Sequence, residues 1–132
     1  MDFSKFDVSK KADAGREFND FVWEDGTPLP DLKVTLYSST SSRANKKLAE
    51  IRNSTKVSDL KNMTLGHVHK QTLERNIACT GSWNMVLDGR DYPATPENVR
   101  AIYENPGYDW FYKQISDRIE DTENFLSSAD NS

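Results

Sequence analysis

The 132-residue sequence predicts an α+β chain, with a small N-terminal β-hairpin or sheet packed against about four α-helices. Three observations carry this expectation. Leu32, Val34 and Leu36 alternate with Lys33, Thr35 and Tyr37, which is the period-two pattern of a strand with one buried face. From about residue 42 the apolar spacing changes to three and four, as in a helix with one buried stripe. Two Asx/Thr-Pro steps, Thr95-Pro96 and Asn105-Pro106, then read as capped helix starts.

The first strand of the expected hairpin lies in EFNDFVW, where Phe18, Phe21, Val22 and Trp23 favour extended backbone and Asp25-Gly26 supplies a turn. Pro28 and Pro30 cannot donate ladder hydrogen bonds and belong in the connection or at an edge. Two strands alone are marginal in water, so a covering helix should follow. SSTSSRANKKLAEIRN provides one, with hydroxyl caps and Ala44, Leu48 and Ile51 on one face. Asn53-Ser-Thr should interrupt it. A second helix is expected over about 59–78, with Leu60, Met63, Leu65, Val68, Leu73 and Ile77 on its stripe. The same stripe extends to Trp83, Val86 and Leu87, making Trp83 a core anchor whose indole N–H finds a partner, and Asp88-Gly89 closes this element with a tight turn.

Thr95 then caps a helix that has Pro96 at its first position and Glu97 near its positive end, and that carries Val99, Ile102 and Tyr103. Pro106 stops that helix near Asn105 and opens a last one carrying Tyr108, Phe111, Ile115, Ile119 and Phe125. Residues 1–14 are expected to be a flexible N-terminal segment, 15–126 a single domain, and 127–132, which lack a large apolar group, a disordered tail.

Composition limits the function. The chain is 36% hydrophobic and 29% charged, and its longest apolar runs fall far short of the roughly 18–20 residues that cross a bilayer. Its start has no apolar signal core, so a cytosolic location is expected. Cys79 is alone, without a CxxC spacing. The net charge of −4 divides unevenly: −3 over residues 1–39, +5 over 40–84 and −6 over 85–132. The basic middle lacks interleaved aromatics and reads as a solvated helix face rather than a nucleic-acid surface, though a basic middle and an acidic C-terminus could favour head-to-tail self-association.

Enzyme and metal readings are weak. His67 and His69 lie two apart on an expected helix and point in different directions, so with Glu74 and Cys79 they do not make a metal set. Ser41 or Ser82 near a His has no implied third group. Asp88, Asp91 and Glu97 lack the order of a calcium loop. No GxSxG, HExxH, phosphate-binding or dinucleotide loop occurs. No enzyme activity, cofactor, nucleic-acid partner or membrane partner is expected.

The combination of the N-terminal hairpin with PLPDLKVTL, the Ser-rich cap before a basic helix, and ACTGSWNMVLDGRDYPATPENVRAIYENPGYDWFYKQISDRIEDTENFL resembles the small tail assembly chaperones of long-tailed bacteriophages and prophages. The matching positions are Trp83, Asp88, Gly89, Thr95, Pro96, Glu97, Asn98, Val99, Pro106, Trp110, Gln114, Asn124 and Phe125. Phe111 stands where that pattern has an aliphatic residue, and the hairpin matches less closely. The resemblance implies a non-enzymatic protein of the host cytoplasm. It would bind the long helical tape measure protein, help recruit tail tube subunits, and be absent from the finished virion. A small structural virion protein, such as a head-tail connector or minor tail protein, is the alternative. Tyr103, Trp110, Phe111 and Trp23 are the expected partner-binding residues, with Trp110 the best exposed because it lies beside the stripe of the last helix. Trp83, Gly89, Thr95, Pro96 and Pro106 are expected to be architectural.

Overall fold

The computed structural model describes residues 2–6, 9–54 and 65–130 and has the expected α+β architecture. Strands β1 (Arg16–Phe18), β2 (Val34–Leu36) and β3 (Thr80–Trp83) form an antiparallel sheet in the order β1-β2-β3. The helices are α1 (Ser9–Ala14), α2 (Ser42–Ser54), α3 (Leu65–Ala78), α4 (Pro96–Glu104), α5 (Asp109–Glu120) and α6 (Glu123–Asp130), of which α2 to α5 are the main four. A separate hairpin pairs β4 (Val86–Leu87) with β5 (Arg90–Asp91).

The alternation in β2 does what period-two predicts. Val34 and Leu36 are fully buried while Thr35 between them is only partly so. Facing them are Phe18 of β1 and Thr80 of β3, and the helices close the core with Ile77, Val99, Ile102, Phe111, Ile115 and Ile119. Phe111 is central: its ring lies 5.4 Å from Phe21, 6.4 Å from Trp83 and 6.4 Å from Tyr103.

Several expectations change in detail. The first strand ends at Phe18, so Phe21, Val22 and Trp23 belong to the following loop, and Asp25-Gly26 turns that loop rather than a hairpin. The central strand instead gains its second partner from β3, because the helix ends at Ala78 and the chain becomes extended at Thr80. Trp83 is therefore a strand residue, not a helical one, although its indole N–H does have an acceptor, the Tyr92 carbonyl. Thr80, Gly81 and Ser82 are poor helix formers, and a third strand removes the instability of a two-strand ribbon. Of the expected stripe, Val68 is 46% exposed, and Leu60 and Met63 lie outside the described residues.

Asp88-Gly89 is the turn of the β4–β5 hairpin, with φ of 53° and 79°, as a primed two-residue turn needs. The Thr95 hydroxyl accepts from the Asn98 N–H at 3.2 Å with Pro96 at the first helical position. Asn105 caps a 3₁₀ turn, Pro106–Tyr108, that leads into α5. The last helix is not continuous: Asp121 takes extended backbone and its carboxylate accepts from the Glu123 N–H, restarting the chain as α6. This restart returns Phe125 to the core edge-on to Phe18, 5.9 Å between centroids, and α6 runs to Asp130. At the other end α1 packs near the start of α2. It buries Ala12, and Asp13 accepts from the backbone N–H and hydroxyl of Ser42 at 2.6 and 2.8 Å, capping α2.

Two glycines let Tyr37 lie flat between β1 and β3. A Cβ on Gly15 would lie 2.9 Å from Tyr37 Cε1, and one on Gly81 2.8 Å from Cε2. Gly15 also has φ of +74°. Gly15→Ala combines a left-handed backbone cost of about 1–2 kcal/mol with an overpacking cost of about 1–3 kcal/mol. The expected outcome is a loss of about 2–5 kcal/mol, read from urea unfolding.

Buried polar groups are paired. The Asn76 amide donates to Tyr112 Oη at 3.0 Å and Ser116 Oγ at 3.2 Å, while its carbonyl accepts from Arg75. Thr80 Oγ1 donates to the Asn76 backbone carbonyl, which leaves the Tyr103 hydroxyl to donate to Thr80 at 2.7 Å. Burial pushes the Tyr103 and Cys79 pKa values up, so both groups stay neutral. Between α3 and α4, Arg100 grips Glu74 with two hydrogen bonds of 2.7 and 2.8 Å, and this holds the Glu74 carboxyl below its ordinary range.

A depressed carboxyl pKa contributes stability above its unfolded-state value and loses that contribution as pH falls through the folded value. Wild type should therefore lose stability on acidification through the carboxylate range more steeply than Glu74→Gln. The gap between the two, measured by urea unfolding at a series of pH values, should close at low pH; a pH-independent gap would contradict the assignment.

Candidate functional site

The loop between β1 and β2 is held on α5 by two side chains. Gln114 on α5 accepts from the Val22 N–H at 3.1 Å and donates to the Val22 carbonyl at 2.9 Å, so its amide mimics a strand neighbour. One turn later, Arg118 donates to the Asp20 carboxylate and carbonyl and stacks over Phe21 at 4.4 Å. Phe21 is buried beneath, against Phe111. The chain then bridges Val22 to Pro28 and turns, with Trp23 N–H donating to the Thr27 carbonyl and Gly26 N–H to that of Trp23.

This geometry displays Trp23. Its ring is 44% exposed and meets the half-buried Trp110 of α5 edge-on, with centroids 4.8 Å apart. Trp110 in turn rests on Phe111 at 5.8 Å. Val22 beside it is 37% exposed. The other arm of the loop, Pro28 to Leu32, faces Met85 and Val86 across an open apolar groove of about 400 Å³. Val86 is more than half exposed. One loop thus carries two apolar features at the surface, both backed by the core.

Of the four expected partner-binding residues, the structure brings Trp23 and Trp110 together at the surface. The other two are buried. Phe111 and Tyr103 are 1% and 6% exposed, because their positions on α5 and α4 fall at the centre of the inner stripes rather than beside them. The architectural set stands at its expected turns and caps, with Trp83 on a strand as described. The roles of Gln114 and Arg118 as clips were not legible from the sequence: each reaches across more than ninety residues to Val22 or Asp20, and only their spacing of four on one helix face hinted at a shared task.

The other candidates do not assemble. His67 and His69 are exposed on α3, Glu74 is bound by Arg100 and Cys79 is fully buried. Among the described residues no group of three or more His, Cys, Asp or Glu could hold a metal ion. Ser41 is buried, where its hydroxyl accepts from the Ala44 N–H. No helix among the described residues is long and apolar enough to cross a membrane. No family model, curated protein or solved structure matches the chain.

Proposed function

We propose that this protein is a tail assembly chaperone that binds the amphipathic helices of a long tape measure protein and helps recruit tail tube subunits in the host cytoplasm. The observation that carries the reading is the Trp23–Trp110 pair: two large aromatic rings pinned at the surface by Gln114 and backed by Phe111. Tryptophan in a rigid setting is the side chain most often found at the energetic centre of protein interfaces, since it covers a large area with little entropy to lose. Helical clients present apolar side chains every three or four residues, which an edge-on aromatic pair beside an apolar groove accommodates. Several copies along one client would gain avidity from individually modest contacts. The resemblance at Trp83 to Phe125 supports the particular client, and the exposed aromatic pair supports client binding.

Mass spectrometry of lysate and of finished particles from the same preparation tests this. The chaperone reading expects the chain in the lysate and its absence from particles. A fixed stoichiometry in particles would instead make it a structural virion protein.

A further inference from the structure

We propose that the cleft between α2 and α4 binds a carboxylate carried beside an aliphatic side chain on a helix of a partner protein. The cleft has a volume of about 340 Å³ and is floored by Ile77 and Val99. Arg43 and Lys47, one turn apart on α2, form one wall, and Arg100 of α4 stands on the other. Arg100 is spent on two carboxylates, both oxygens of Glu74 in the cleft and Glu104 at 3.3 Å, which leaves Arg43 and Lys47 as the cations open to a ligand.

Arg43 is the centre of the site. Its guanidinium stacks over Tyr37 at 3.9 Å, and Gly15 and Gly81 hold that ring from both edges. The ring gives this exposed guanidinium a stacking platform, and among the described residues no hydrogen bond or ion pair uses its N–H donors. A planar fork with unspent donors matches a carboxylate in geometry and charge. Lys47, whose only ion pair among the described residues is a 3.5 Å contact with the exposed Glu50, adds a second charge. The floor selects what carries the carboxylate. It offers aliphatic contact, no aromatic side chain lines it for a base to stack on, and Glu74 opposes a polyphosphate. An acidic amphipathic helix, with Leu and Glu one turn apart, fits both features. The site uses different elements from the Trp23–Trp110 surface and stands independently of it.

The test titrates the full chain, labelled with ¹⁵N, with an acetylated 15-residue helical peptide bearing a Leu/Glu stripe at i, i+4, and with the same peptide carrying Gln for Glu. Amide shifts should concentrate at residues 43–47 and 94–100. Replacing Glu by Gln in the peptide, or Arg43→Ala in the protein, should each weaken binding about tenfold, the scale of one charge-assisted hydrogen bond. Tyr37→Leu, which keeps the charge and removes the platform, should also weaken it. Equal affinity for the two peptides, or shifts confined to other surfaces, would overturn the proposal. So would a dT12 strand that shifts the same amides more strongly than the peptide, or self-association of the free chain that Arg43→Ala abolishes, which would make a second copy the occupant.

Discussion

Phe111→Ala is expected to destabilise the protein by about 3–5 kcal/mol, the range for deleting a buried phenylalanine. Phe111 is 1% exposed and touches aromatic rings from four directions: Phe21 from the loop, Trp83 from β3, Tyr103 from α4 and Trp110 from its own helix. No neighbour can collapse into the space without leaving its own contacts, so most of the cavity should persist. Against a typical total of about 5–15 kcal/mol this is a large fraction, and the urea midpoint should fall accordingly with little change in slope. Phe111→Leu, which restores the aliphatic residue of the resembled pattern, should recover much of the loss. A drop below about 1 kcal/mol for Phe111→Ala would mean that the ring is not the centre of the core.

The double variant Trp23→Ala, Trp110→Ala is expected to weaken the proposed client binding by about 1,000-fold or more, since tryptophan anchors at interface centres are worth about 2–4 kcal/mol each. Stability should change far less than in Phe111→Ala, because Trp23 is 44% exposed and the clips from Gln114 and Arg118 to the loop backbone and Asp20 remain. Pull-down of the client together with urea unfolding of the free chain separates the two effects. Full client binding by a folded double variant would remove the aromatic pair from the interface.

Much of this architecture is legible in the residues, and the exceptions share a cause. Val34-Thr35-Leu36 gives its strand by alternation, and Thr95-Pro96 and Asn105-Pro106 give their caps by local chemistry, so each is decided within a few residues. β3 is different. Thr80 to Trp83 is extended because β2 pairs with it across more than forty residues, a partnership that the poor helix formers Thr80 to Ser82 permit but do not specify. The break at Asp121 depends likewise on Phe125 finding Phe18 more than a hundred residues earlier. The candidate site divides in the same way. Trp110 was visible as an aromatic beside an apolar stripe, but its partnership with Trp23 needs the Gln114 clip, a contact spanning 92 positions. Burial of Tyr103 and Phe111 follows from which stripe faces inward, which the aromatic pattern alone leaves open.

In the proposed role this chain would keep a long helical client in solution through its aromatic surface. The direct measurement is coexpression with the longest reading frame immediately downstream of its gene, followed by affinity purification and size exclusion. The account predicts one soluble complex with wild type, aggregation of the long product when expressed alone, and no complex with the Trp23→Ala, Trp110→Ala variant. A chain that elutes alone while the long product is equally soluble without it would contradict the account.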